Sequence, residues 1–232
     1  MLELQDINFS AGGKHILKDV SYTLDPGKFV AITGPNGSGK STLAKIIMGI
    51  DKPDSGKILF DGKDITDWPI DERARAGIAF AFQQPVRFKG VTVHDLLNLS
   101  SKNQLPFNEV CDILANVGLC ANGYVEREVS GDLSGGELKR IEIASVLLRH
   151  AKLTIFDEPE AGIDLWSFNN LISVFNQMQK DMSGSIVVIS HQERILRIAD
   201  EIILLTDGHV EKVVPKGQPL EELLTMQACR KM

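Results

Sequence analysis

The stretch that decides the fold is GPNGSGKST, residues 34–42. It follows the apolar run at 29–32 and precedes a stretch with helical periodicity at 41–50. A strand, a glycine-rich loop and a helix in this order are typical of a phosphate-binding loop. Glycines let backbone N–H groups approach phosphate oxygens closely, and the first turn of the helix presents its positive end to the same phosphates.

The loop fits the pattern G-x-x-x-x-G-K-[ST]. In such loops the lysine, here Lys40, reaches the β- and γ-phosphates, and the hydroxyl that follows, here Ser41, ligates Mg²⁺. We therefore expect ATP and Mg²⁺ to bind here. The predicted nucleotide contacts are Gly34, Pro35, Asn36, Gly37, Ser38, Gly39, Lys40, Ser41 and Thr42.

A carboxylate pair follows a second apolar run, LTIF at 153–156. Alone, Asp157 and Glu158 are as consistent with a solvated turn as with a catalytic site. Beside a phosphate loop the catalytic interpretation is favoured. Asp157 is then predicted to hold Mg²⁺, and Glu158 to orient or deprotonate the attacking water.

The pattern of apolar runs along the chain predicts an α/β fold with a mixed sheet. Short alternating runs before residue 28 indicate an antiparallel β region, and later strands alternate with helices, which implies a parallel sheet. Asp61-Gly62 and Asp207-Gly208 each predict a hairpin turn. Residues 90–130 are predicted to be helical, and the tail 218–228 is predicted to form a helix.

Composition excludes several classes of protein. The 232 residues are 43% apolar and carry a net charge of −6, so no broad basic field favours nucleic acid. Cys111, Cys120 and Cys229 show no CxxC spacing, which argues against a zinc site or a disulfide framework. We expect Cys111 and Cys120 to be small core residues. With no signal pattern and no apolar run long enough to span a bilayer, the prediction is a cytoplasmic chain without direct membrane insertion.

The order of these motifs resembles the ABC-type ATPases. Leu133-Ser134-Gly135-Gly136-Glu137 resembles their LSGGQ signature, and Ala161-Gly162-Ile163-Asp164 resembles their D-loop. Gln83 resembles the Q-loop glutamine and His191 the switch histidine. Three of these have a simpler interpretation. Ser134 and Glu137 also form a capping-box pattern, Gln83 precedes a Gln-Pro turn, and a histidine at a strand end, such as His191, is also typical of a capping or packing residue. The resemblance covers essentially the whole chain.

The resemblance implies a mechanism. Two copies face each other head to tail, with ATP between the phosphate loop of one and Ser134, Gly135 and Gly136 of the other. Glu158, His191 and Gln83 would be catalytic, Gln83 would also contact Mg²⁺, and Asp164 would be a nucleotide-site residue. It further implies one domain over 1–232, with residues 1–85 and 141–232 as the catalytic core and 86–140 as an inserted helical subdomain.

Two positions depart from the family pattern. Many members place an aromatic residue against adenine where this chain has Ala11. Glu137 replaces the usual Gln of the signature and adds negative charge near the nucleotide phosphates, which is expected to slow closure of the dimer unless a nearby cation such as Lys139 or Arg140 offsets it.

Two assignments within the family are weighed. Residues 71–86, DERARAGIAFAFQQPV, and 191–196, HQERIL, resemble SufC, the ATPase of iron–sulfur cluster assembly. That resemblance implies a scaffold of the SufB or SufD kind as partner, docked at 83–88 and the start of the helical insert. The alternative is an ATP-binding subunit of an importer or energy-coupling ABC transporter, docked on a membrane protein.

Overall fold

The structure is a computed structural model that describes residues 1–101, 103–181 and 184–218. Its strands are β1 (Leu2–Ala11), β2 (Lys14–Leu24), β3 (Phe29–Thr33), β4 (Ser55–Phe60), β5 (Lys63–Asp64), β6 (Ile78–Ala81), β7 (Leu153–Asp157), β8 (Ser185–Ile189), β9 (Glu201–Thr206) and β10 (His209–Pro215). Its helices are α1 (Lys40–Met48), α2 (Ile70–Ala76), α3 (Val93–Ser101), α4 (Phe107–Asn116), α5 (Ala121–Tyr124), α6 (Gly135–Leu147), α7 (Leu165–Asp181) and α8 (Glu193–Ile198).

The larger sheet carries the phosphate loop. Within the described ranges it contains six strands in the order β10-β9-β3-β8-β7-β6. The strands from β9 to β6 are parallel, and β10 pairs antiparallel with β9. Every residue of β3, β7 and β8 is buried, as expected for central parallel strands. The mixed α/β sheet predicted from the sequence is confirmed.

The N-terminal β region forms a separate antiparallel sheet in the order β2-β1-β4-β5. Leu2, Leu4 and Ile58 from this sheet share one buried apolar cluster with Leu43 and Ile47 of α1, so α1 lies between the two sheets. Both predicted hairpin turns are present. Asp61 and Asp207 have φ of 51° and 48°, and the glycine after each is also left-handed at 76° and 85°, as a type I′ turn requires.

The predicted helical stretch between β6 and β7 contains α3, α4 and α5, and α6 follows it. A second apolar cluster joins Val93 and Leu97 of α3 with Val110 of α4 and with Leu138 and Ile141 of α6. Helix α6 also packs on β6, so it connects the helical stretch to the larger sheet. The division of residues 1–232 at positions 85 and 141 stays a prediction.

One prediction about the cysteines is wrong. Cys111 is partly buried against the core, but Cys120 is exposed because it is the N-cap of the short helix α5. Cys229 and most of the predicted tail helix at 218–228 lie outside the described residues. Among the described residues, none of the helices combines the length and apolarity required to cross a bilayer.

Candidate functional site

The phosphate loop lies at the carboxyl end of β3, where Gly34 packs against the neighbouring strand β9. A Cβ at Gly34 would stand 1.9 Å from the carbonyl oxygen of Leu205, so a side chain has no room there. The N-cap of α1 is Gly39, which is left-handed at φ 100° and offers no side-chain cap. The first N–H groups of α1 therefore have no side-chain acceptor at the N-cap and suit an anion.

Lys40 folds back over the loop. Its Nζ donates to the carbonyl oxygens of Gly34 and Pro35, both at 2.9 Å, and the side chain is buried. Burial lowers the pKa of Lys40, whereas the nearby charges of Glu158 and Asp157 oppose that change. The ammonium group therefore lies next to the loop that it is predicted to serve.

Ser41 and Asp157 meet across the sheet edge. Ser41 Oγ donates to Asp157 Oδ1 at 2.9 Å, although 116 positions separate the two residues. Burial raises the pKa of Asp157, the hydrogen bond from Ser41 lowers it, and the adjacent Glu158 charge raises it further. A hydroxyl and a carboxylate oxygen side by side are ligands of the kind that Mg²⁺ prefers, so the residues fit this ion.

Gln83 and Glu158 also meet. Gln83 Nε2 donates to Glu158 Oε2 at 2.6 Å. Glu158 has a φ of 45°, which is uncommon for a residue other than glycine and is found disproportionately at functional sites. Its N–H donates to the carbonyl oxygen of Ile189 at 3.0 Å, so the strained backbone is tied to β8.

His191 follows β8, which lies between β3 and β7 in the larger sheet. This order brings His191 to the same sheet edge as the phosphate loop and Asp157, since Asp157 pairs with Ile189. Next to it, Ser190 Oγ donates to the carboxylate of Glu160, a partly buried residue whose pKa is raised by burial. Glu160 was not among the residues predicted from the sequence.

The signature residues begin α6. Ser134 is its N-cap, and the predicted capping box is confirmed: Glu137 N donates to Ser134 Oγ at 3.3 Å and Ser134 N donates to Glu137 Oε2 at 2.7 Å. Gly135 follows Ser134, and Gly136 lies so close to the D-loop that a Cβ would stand 3.0 Å from the carbonyl oxygen of Gly162. Both hydrogen bonds of the capping box lie within the first turn of α6.

Glu137 has its own partners in the structure. Tyr124 OH donates to Glu137 Oε1 at 2.5 Å, and this bond, with the one from Ser134 N, lowers the pKa of Glu137. Arg127 supplies the nearby positive charge and stacks 4.8 Å over the Tyr124 ring. Lys139 is instead paired with Glu142, and Arg140 donates to the carbonyl oxygens of Gly136 and Gly118.

The two remaining predicted positions are solvent-facing. Asp164 is exposed at the end of the D-loop, directly before α7. Ala11 is exposed at the β1–β2 turn, paired with Lys14. Strand β2 reaches the phosphate loop with Leu17 and Ile16: a Cβ at Gly39 would stand 2.6 Å from Leu17 Cδ2 and 3.0 Å from the carbonyl oxygen of Ile16. The sequence offered no signal for Ile16, because its proximity depends on how the two sheets pack.

Comparison with known proteins gives the family. The family model described as ABC transporter matches residues 17–161. An uncharacterized ABC transporter ATP-binding protein, MJ0035 of Methanocaldococcus jannaschii, is 40% identical over 95% of this chain and 90% of its own length. The energy-coupling factor transporter ATP-binding protein EcfA1 of Mycoplasma mobile is 34% identical over 96% of this chain and 82% of its own.

A solved structure agrees with the fold. It is described as the dimeric structure of a post-hydrolysis state of the ATP-binding cassette MJ0796 bound to ADP and Pi. It matches with a TM-score of 0.82 and 26% identity, over 94% of this chain and 100% of that chain. The chain belongs to the ABC transporter family and carries its ATP-binding domain. It is accordingly an ATPase of the ABC class.

Proposed function

We propose that this chain is the ATP-hydrolysing subunit of an ABC transporter of the importer or energy-coupling type. The observation that carries the ATP-hydrolysing part of the proposal is the joining of two pairs at one sheet edge, Ser41 with Asp157 and Gln83 with Glu158. The names of the relatives support a transporter role, since they describe ABC transporter and energy-coupling factor ATP-binding proteins.

The chemistry follows from these residues. Lys40 and the N–H groups that begin α1 hold the β- and γ-phosphates of ATP. Ser41 and Asp157 would hold Mg²⁺, with Gln83 near it, and the ion would neutralise charge on the phosphate oxygens. Glu158 accepts the proton of the attacking water, and His191 at the same edge supports the γ-phosphate. Gln83 donates to Oε2 of Glu158, which leaves Oε1 as an oxygen that can accept the proton of the water.

The second half of each site comes from another copy. Ser134, Gly135 and Gly136 lie at the N-terminus of α6, where an anion is favoured. We infer that two copies associate head to tail around ATP and that Asp164 of the D-loop faces the same junction. The solved relative described as dimeric with ADP and Pi supports this arrangement.

A groove beside Gln83 fits the membrane partner. Phe82, Val86 and Phe88 expose 36%, 44% and 40% of their surface, which is unusual for three large apolar side chains so close in sequence. They line a cavity with Leu96 of α3 and Val129. A helix of the membrane subunit that enters this groove would contact the residues directly before and after Gln83.

A second candidate partner is a scaffold of the SufB or SufD kind. Residues 71–86 and 191–196 favour it, because they resemble SufC. The names of the relatives describe transporters, so they favour the first candidate over this one.

Co-purification distinguishes the two candidates. The chain is tagged at its N-terminus and purified from its own cells in mild detergent, beside Phe88→Asp and the control Leu99→Asp. Leu99 is 73% exposed on α3 and is not among the groove residues. An integral membrane protein lost with Phe88→Asp but kept with Leu99→Asp supports the transporter subunit. A soluble iron-binding scaffold would replace that proposal with the second candidate.

A further inference from the structure

A buried ion pair on α6 holds the backbone of Phe82, the residue directly before Gln83. Phe82 N donates to Glu142 Oε1 at 2.9 Å, and Lys139 Nζ donates to the carbonyl oxygen of Phe82. Lys139 and Glu142 are themselves paired, with Nζ 3.2 Å from Oε2. Both polar groups of Phe82 are therefore bound by charged side chains of one helix.

The ion pair between Lys139 and Glu142 is buried, which bears on its role. Lys139 is fully buried and Glu142 is only 13% exposed. Buried ion pairs carry a large desolvation cost, and a protein in which apolar residues of similar volume replace such a pair is often at least as stable. Global stability is thus a weak explanation for charges here. What the pair does provide is a rigid connection between α6 and the end of β6, because it binds both the N–H and the C=O of Phe82 and so holds the two peptide groups that flank this residue.

This connection between α6 and Phe82 joins two parts of the proposed catalytic machinery, the signature residues and Gln83. Helix α6 begins at the signature residue Ser134, and Phe82 is followed directly by Gln83. Gln83 in turn contacts Glu158. A displacement of α6 is therefore expected to move the backbone of Phe82, which sets where the Gln83 side chain can reach.

We propose that Lys139 and Glu142 are positioning residues that make the signature helix and Gln83 move as one unit. This inference rests on the proposed function, since it requires the signature to bind ATP held by the opposite copy. Binding of the γ-phosphate at Ser134 shifts α6, the pair carries that shift to Phe82, and Gln83 is moved relative to Glu158. Hydrolysis is thereby coupled to closure of the dimer.

The test is a graded series without unpaired buried charge. The double variant Lys139→Met/Glu142→Leu removes both bonds to Phe82 at similar volume. The double variant Lys139→Met/Glu142→Gln retains an oxygen that accepts from Phe82 N. The control Asp71→Asn/Arg75→Met removes a helical ion pair at the surface of α2.

Turnover and ATP affinity are measured for each protein with Mg²⁺. We expect the Met/Leu variant to lose roughly tenfold or more in kcat, because small misplacements of catalytic groups have effects of that size. The Met/Gln variant should lie between it and the parent chain, and the control should match the parent. The Kd for ATP should stay within about twofold of the parent throughout, since the phosphate loop is untouched. A folded Met/Leu variant with the kcat of the parent overturns the inference, and if that variant does not fold, the same criterion applies to Met/Gln.

Amide hydrogen exchange with a non-hydrolysable ATP analogue measures the coupling itself. In the parent chain we expect the analogue to slow exchange at residues 134–137 and also at 82–83. In the Met/Leu variant it should slow exchange at 134–137 alone. Equal protection of 82–83 in both proteins overturns the inference while the proposed dimer stands. A parent chain that does not dimerise with the analogue overturns the proposed function and the inference with it.

Discussion

Replacement of Glu158 by glutamine is the sharpest test of the catalytic assignment. The substitution keeps size and shape and removes the ability to accept a proton. Gln83 Nε2 donates to Glu158 Oε2 at 2.6 Å, and the amide oxygen of the new side chain can accept the same bond. The strained backbone at φ 45° is also unaffected, because both residues face the same cost there. The variant therefore isolates proton transfer from positioning.

The expected fall in kcat follows from the role of Glu158 as a general base. General-base catalysis contributes about 10²–10⁴ in rate, which corresponds to about 3–5 kcal/mol of transition-state stabilisation. We expect kcat to fall by that factor while ATP binding persists, because Lys40 and Ser41 remain in place. Since hydrolysis separates the proposed dimer, slower hydrolysis should trap it with ATP.

Two assays check this prediction. Phosphate release in single-turnover experiments gives the rate of the chemical step, and light scattering with and without ATP and Mg²⁺ gives the fraction of dimer. Glu109→Gln, an exposed position on α4, serves as the control and should behave like the parent chain. A Glu158→Gln variant that releases phosphate at the parent rate refutes the assignment of the base.

Three further predictions concern the loop and the signature. Lys40→Ala should weaken ATP binding about a hundredfold in calorimetry, because charge-assisted hydrogen bonds to phosphate contribute about 1.5–3 kcal/mol each; unchanged affinity would contradict the phosphate-loop assignment. Gly34→Ala should destabilise the fold by at least about 2 kcal/mol in urea titration, since its Cβ would overlap a backbone oxygen of β9. Gly37→Ala is the matched control: the residue is also left-handed but has open space, so it should lose about 1 kcal/mol. Tyr124→Phe should remove the bond to Glu137 and lower stability by about 0.5–1.5 kcal/mol, read as a reduced midpoint of thermal unfolding, and an unchanged midpoint would show that the bond contributes nothing.

The local elements were accessible from the sequence because they depend on neighbouring residues. The loop 34–42, the Asp-Gly turns and the capping box of Ser134 and Glu137 each follow from conformational preferences within a few positions. The alternation of strands and helices likewise indicates the α/β class. The error at Cys120 arises at a helix boundary, where periodicity no longer determines which side faces the core.

By itself the sequence determined the elements, their class and the residue types of the site, since all of these are properties of short segments. Only the tertiary structure decided which of them meet. Ser41 contacts Asp157 across 116 positions and Gln83 contacts Glu158 across 75, because β8 lies between β3 and β7 and β6 lies beside β7. The order of strands depends on how whole faces pack, and no local pattern encodes it. For the same reason no local pattern predicts that the Lys139–Glu142 pair contacts Phe82, because this contact depends on the packing of α6 on β6.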